Sequence, residues 1–160
     1  MAIDRSGADV CGCARPTACV GRNGGLYLVA VRRVGTDRDD RIRTGEVSDR
    51  LDVAPSSVTE MFDRLAAAGL LRYEKRAGVA LTDRGRAVAL ELERRQCAVR
   101  TFFRRRTGFD MPLEAGYRIG YVLPDEAIDR LRALVDETPN TCSATPPTGV
   151  ERCPFAGTEC

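Results

Sequence analysis

From Thr44 onward the apolar positions fall into a regular rhythm. Val47 and Leu51 lie four apart, on one face of a helix that opens with Thr44. Asp52-Val53-Ala54-Pro55 breaks the rhythm as a short turn. Val58, Met61, Phe62 and Leu65 then follow the i, i+3, i+4, i+7 spacing of a half-buried helix. Pro55 suits the first turn of that helix, Ser56 or Ser57 can cap its free N–H groups, and Gly69 stops it. Between Leu70 and Thr82 the pattern changes to two short arms dominated by apolar residues. Ala77-Gly78 stands at the tip with basic residues beside it, which predicts a β-hairpin. Two short helices across a tight turn, then a hairpin, is the order of a winged helix-turn-helix.

The flanks are read in the same way. Leu26, Leu28, Val29, Val31 and Val34 form an apolar segment that periodicity alone leaves as strand or helix, and Asp37 to Asp40 break it. Thr82-Asp83-Arg84-Gly85 caps a longer helix whose buried side is Val88, Leu92, Val99 and Phe103. Gln96 interrupts that stripe, with Cys97 beside it. Arg104-Arg105-Arg106 closes the helix, where positive charge meets the negative end of the dipole. Residues 112–121 predict a short helix, and Asp125 to Val135 another with Ile128, Leu131, Leu134 and Val135 inward. The expected organisation is a Cys-containing arm over 1–21, a winged helix-turn-helix over 22–82, a helical region over 83–136 and a Cys-rich tail over 137–160. The fold class is mainly α with a small β-wing.

A helix that reads DNA needs small polar residues at its N-terminal end and an apolar face that holds it on the domain. Ser56, Ser57, Thr59 and Glu60 lie opposite Val58, Met61, Phe62 and Leu65. Thr44 and Pro55, at the starts of the two short helices, are further DNA-binding candidates. Arg64 and the hairpin residues Arg72, Lys75 and Arg76 are candidates for phosphate contacts that position the domain without specifying sequence. The plain alternative is that all of these are ordinary solvated faces.

Composition narrows the chemistry. The chain has 160 residues, a net charge of +2, 43% hydrophobic and 30% charged residues, as expected of a soluble globular protein. It contains no His and no Trp. A Ser-His-Asp triad, a Cys-His dyad, a His-ligated zinc and an imidazole proton shuttle are therefore all excluded. With no nucleotide-binding Gly motif and no concentrated carboxylate pair, an enzyme is not expected, nor a small-molecule substrate. Lys75 is the only Lys among 25 basic residues; the rest are Arg. Arg suits nucleic-acid contact, although a codon bias would give the same count. No run of eighteen apolar residues exists to span a membrane. Asp4 and Asp9 stand where a signal peptide would be apolar, so the expected location is the cytoplasm, where thiols stay reduced.

The run Thr44-Gly-Glu-Val-Ser-Asp-Arg-Leu-Asp-Val-Ala-Pro-Ser-Ser-Val-Thr-Glu-Met-Phe-Asp-Arg-Leu-Ala-Ala-Ala-Gly-Leu-Leu resembles the DNA-binding half of the diphtheria-toxin-repressor and manganese-transport-regulator family. Tyr73-Glu-Lys-Arg-Ala-Gly-Val-Ala-Leu-Thr-Asp-Arg-Gly-Arg extends the match. Leu123-Pro-Asp-Glu-Ala-Ile-Asp-Arg-Leu is similar to the family's dimerisation-region helix. The similarity covers roughly residues 25–136. It implies a homodimeric transcription regulator on a near-palindromic double-stranded operator, usually of metal-uptake genes, with 83–136 as the dimerisation region. It also implies iron or manganese sensing through carboxylate and imidazole ligands, and here the pattern departs. The first-helix ligand positions fall at Leu26 and Val29, the long-helix His position at Gln96, and the short-helix positions near Tyr117, Gly120 and Tyr121. Glu114 is the one carboxylate nearby, so a hard-ligand Mn(II) site is not expected.

Thiols stand in place of those ligands. Cys11, Cys13 and Cys19 precede the first helix, Cys97 lies beside the lost His position, and Cys142, Cys153 and Cys160 lie in the tail. The spacings are C-x-C-x5-C and C-x10-C-x6-C, without a C-x-x-C, and each trio is one short of the four thiolates a Cys-only site takes. Cys153-Pro154 resembles the Cys-Pro that closes some iron–sulfur sites. The expectation is an iron–sulfur cluster whose four ligands come from among these seven residues, which orders the chain ends and couples to operator affinity. The alternatives are a four-thiolate zinc site, a metal-free thiol-disulfide redox repressor, and scattered Cys without a common role. In another class, the chain would be a metal-binding carrier or enzyme that uses the helix-turn-helix as scaffold.

Overall fold

The computed structural model describes residues 16–35 and 41–136. The undecided apolar segment is helical. After a single helical turn, α1 (Pro16–Cys19), comes α2 (Arg22–Val34), which buries Leu28, Val29, Ala30 and Val31. The turn at Pro16–Cys19 lies where only loop was expected. Thirteen residues is long for a strand, and the two strands among the described residues pair with each other.

The winged helix-turn-helix follows in the expected order. It comprises α3 (Thr44–Leu51), α4 (Pro55–Ala67), β1 (Leu71–Glu74) and β2 (Gly78–Leu81). Helix α2 packs on α3, α4 and β2, and α4 packs on α3 and β1. Val47, Val58, Phe62, Leu70 and Val79 are completely buried in this unit. The strands are antiparallel, with Leu71 opposite Leu81 and Glu74 opposite Gly78. Ile42 extends the wing, exchanging two backbone hydrogen bonds of 2.9 Å with Val79. Gly78 is obligatory at that crossing: its φ is +98°, and a Cβ would lie 2.5 Å from the Ile42 carbonyl oxygen.

Two local expectations are corrected. Neither Ser56 nor Ser57 caps α4. The N-cap is Ala54, with no side-chain cap bond, and Pro55 occupies the first helical position. Both serines are thus inside the first turn, beyond the one site from which a hydroxyl caps it. The hairpin tip is Lys75–Ala77 rather than Ala77-Gly78, because Gly78 already pairs with Glu74.

Helix α5 (Asp83–Thr107) is capped as expected: the Thr82 hydroxyl accepts from the Gly85 N–H at 3.0 Å. The chain divides into two compact units between Glu91 and Leu92, partway along α5. The second unit contains the rest of α5 with α6 (Leu113–Val122) and α7 (Asp125–Asp136). Ala98, Val99, Met111 and Ile128 form its core, with Phe103, Ala115, Ile119, Leu123 and Leu131 packed against it. Leu134, expected inward, is 40% exposed. Ile128, Leu131 and Val135 share the i, i+3, i+7 stripe of α7, and Leu134 lies off it.

Candidate nucleic-acid interface

The turn between α3 and α4 decides how α4 is presented. Asp52 ends α3 in the left-handed conformation, φ 52° and ψ 51°, and its N–H donates to the Ser48 carbonyl. The Ser48 hydroxyl, buried, donates to the Val53 carbonyl at 2.6 Å, and the Val53 N–H returns to the Ser48 carbonyl at 3.2 Å. At the other end of α3 the Glu46 carboxylate accepts from the Arg43 N–H at 2.9 Å. That fixes the helix start and places an acid at the positive end of the dipole.

So held, α4 has two faces. Val58 and Phe62 are fully buried and Leu65 nearly so, while Pro55, Ser56, Ser57 and Glu60 are exposed and Thr59 and Met61 half-buried. The Thr59 hydroxyl donates to the Pro55 carbonyl at 3.1 Å. Thr44 is half-buried at the start of α3. Arg64 is exposed and ion-paired with Glu60 one turn back. On the wing Arg72, Lys75 and Arg76 are all exposed. Tyr73 anchors the wing to α4 through an edge-to-face contact with Phe62, centroids 5.3 Å apart. Arg41 ties the Ile42 segment to the hairpin by a 2.6 Å bond to Glu74. That bond, and the charge behind it, holds the Glu74 carboxyl below its ordinary range. The candidate DNA-facing residues thus come from α3, α4 and the wing of one unit. Their surface combines hydroxyls, one carboxylate and four cations.

At the positions where the family resemblance expects carboxylate and imidazole ligands, other side chains stand. Leu26 and Val29 lie on α2, half-buried and buried. The Gln96 amide, buried, donates to the Leu113 carbonyl at 2.6 Å. Tyr117 is buried, Gly120 has no side chain, and Tyr121 lies tilted against Tyr117. Glu114 pairs with Arg118 along the exposed face of α6. Among the described residues no group of three His, Cys, Asp or Glu side chains could hold a metal ion. Cys19 and Cys97 are each disulfide-bonded, and a disulfide sulfur offers no thiolate to a metal. Cys11, Cys13, Cys142, Cys153 and Cys160 lie outside the described residues. Among those described, no helix is long and apolar enough to cross a membrane.

Sequence reasoning missed Arg95 and Arg100, which are buried in the second unit and bonded to backbone carbonyls. A signal was present: Arg95 falls on the stripe that runs through Val88, Leu92 and Val99.

Comparison with known proteins agrees with this architecture. The family described as iron dependent repressor, N-terminal DNA binding domain, matches residues 27–79. The HTH-type transcriptional regulator MntR of Geobacillus kaustophilus is 35% identical over 97 residues, 58% of this chain and 67% of the relative. An uncharacterized HTH-type transcriptional regulator of Methanocaldococcus jannaschii is 28% identical over 113 residues, 69% of this chain and 90% of the relative. Among solved structures, ScaR with bound Zn2+ superposes with a TM-score of 0.59 at 29% identity, over 71% of this chain. The chain spans 54% of the length of that ScaR structure. The chain belongs to the diphtheria-toxin-repressor and manganese-transport-regulator family of metal-dependent transcription regulators.

Proposed function

We propose that the protein is a homodimeric transcription regulator that binds a near-palindromic double-stranded operator in the cytoplasm, and that sulfur reads its signal. The observation that carries the DNA-binding half is the presentation of α4. Val58 and Phe62 pin one face, while Ser56, Ser57 and Glu60 project from the other beside a cationic wing. Hydroxyls and a carboxylate at the start of a helix suit base edges, and Arg64, Arg72, Lys75 and Arg76 suit phosphates. Two such heads in a dimer read half-sites about one helical turn apart. The relatives named as transcriptional regulators support a regulatory role for this surface.

The sensing half rests on thiols in a chain whose family ligand positions are Leu, Val, Gln, Tyr and Gly. An iron–sulfur cluster on the reduced cysteines is one form of this reading, and a four-thiolate zinc site another. The disulfide state of Cys19 and Cys97 favours the third, a thiol-disulfide switch. Disulfides of intracellular proteins are usually transient and redox-sensing.

Two measurements test the halves separately. Duplex selection from random sequence, followed by gel shift at two salt concentrations, should give a two-fold symmetric site whose affinity falls steeply with salt. A protein that enriches no sequence is not an operator-binding regulator. Iron, zinc and acid-labile sulfide per chain, measured after purification without oxygen, decide the sensor. Iron with sulfide means a cluster, zinc alone a thiolate zinc site, and an empty protein the disulfide switch.

A further inference from the structure

We infer that Arg95 is a built-in cation that orders the turn between α6 and α7, so that this helical unit holds its form without a bound metal ion. Arg95 lies on α5 and is 1% exposed. One guanidinium nitrogen donates to the carbonyls of Gly120 at 3.2 Å and Leu123 at 2.9 Å. The other pairs with the carboxylate of Asp125. Gly120 lies in the last turn of α6, Leu123 is its C-cap, and Asp125 is the first residue of α7. Three oxygens thus converge on one positive charge: two carbonyls at the negative end of a helix dipole and a carboxylate that opens the next helix. Carbonyl and carboxylate oxygens are the ligands that a hard divalent cation gathers. Here a guanidinium, which is part of the chain and cannot dissociate from it, gathers them.

The neighbouring contacts extend the same device. Gln96 donates to the Leu113 carbonyl at the start of α6, and Arg100 to the Met111 carbonyl at 2.6 Å, just before it. At the far end of α5, Arg105 and Arg106 donate to the Val135 and Leu134 carbonyls that close α7. α6 is cut to fit: a Cβ at Gly120 would come within 3.0 Å of the Arg95 backbone, and one at Gly116 within 2.5 Å of the Arg100 side chain. The positions at which the family resemblance expects metal ligands are taken by the donor Gln96 and by Tyr117, Gly120 and Tyr121, none of them a carboxylate or imidazole. A fixed charge thus gathers the oxygens of the α6–α7 turn, whatever signal the thiols read.

The test uses the full-length, reduced, EDTA-treated protein, titrated with MnCl2. Manganese is chosen because it prefers oxygen and nitrogen over thiolate. Saturating manganese should leave the melting temperature within about 1 °C, whereas a site in the folded state would raise it by several degrees. Arg95→Met keeps the stem and removes the charge. It should lower the melting temperature by roughly 5–10 °C and speed hydrogen exchange of the amides around Leu123–Ile128 by at least about 100-fold. Arg95→Lys keeps the charge without the fork and should speed the same amides less; it decides the matter if Arg95→Met does not fold. A manganese-dependent rise of several degrees in the wild type would overturn the inference. So would exchange at those amides that is unchanged in Arg95→Met or, should that variant not fold, in Arg95→Lys. DNA binding is not the readout, so failure here leaves the proposed function standing.

Discussion

At the scale of single residues, the orientation of α4 depends on how Asp52 and Ser48 shape the turn before it. Asp52 is the one non-glycine among the described residues with positive φ, and it adopts the left-handed conformation that a short polar side chain tolerates best. A β-branched residue there clashes with its own backbone. Asp52→Val should therefore cost about 1–2 kcal/mol, read as a lower urea midpoint at unchanged slope. Ser48→Ala removes the donor to the Val53 carbonyl and should cost about 1 kcal/mol. Both variants should also weaken operator binding beyond their effect on stability, because the turn they loosen sets the angle of α4. Equal operator affinity in fully folded Asp52→Val would show that the turn does not govern presentation.

At the scale of elements, the wing has separable mechanical and electrostatic parts. Arg72, Lys75 and Arg76 are exposed and lie outside the core, so replacing all three by Ala should leave stability nearly unchanged. In a dimer it removes up to six phosphate contacts, and the slope of log affinity against log salt should flatten by about 5. The Arg41–Glu74 pair is the mechanical part. The Glu74 carboxyl is depressed in the folded state, so the pair's contribution is present in full above the ordinary carboxylate value and is lost as pH falls through the lowered one. The Glu74 carboxyl resonance should titrate below that of a solvated glutamate, and Arg41→Ala should return it to the ordinary value. These elements were legible because their periods are short and local: the i, i+3, i+4 stripe of α4 and the Gly-ended hairpin need no distant partner to be recognised. The α4 cap was misread by two and three residues because Ser and Pro signals overlap at Pro55-Ser56-Ser57, and only the backbone shows which residue is non-helical. Of the buried arginines of α5, Arg95 leaves a trace in the sequence by falling on the apolar stripe, but a basic residue reads as solvated until its carbonyl partners, eleven to thirty positions away, are known.

At the scale of the whole molecule, the question is what carries the signal to the DNA-reading surface. The positions at which the family resemblance expects metal ligands carry Leu26, Val29, Gln96, Tyr117, Gly120 and Tyr121, none of them a carboxylate or imidazole, and α5 supplies its own cations to the helices that follow it. The cysteines bring reversible chemistry of another kind, the oxidation of thiols to disulfides. A chain without His has no side chain that changes charge near neutral pH unless its environment shifts one. Cys19 stands just before α2, which packs on α3 and α4, and Cys97 lies in the α5 segment that carries Arg95 and Arg100. Oxidation at either position therefore acts on an element that sets the form of its own unit. Operator affinity should then differ between protein reduced with dithiothreitol and protein oxidised with diamide, by the 5- to 150-fold or so that typical coupling free energies give. Cys19→Ser and Cys97→Ser should each shrink that difference, and the double variant should bind with one affinity in both conditions, its α4 and wing unaltered. If wild-type binding curves superimpose in reductant and oxidant, thiol oxidation at these two sites carries no signal. The metal and sulfide content of the reduced protein then becomes the deciding measurement for a sulfur-ligated sensor.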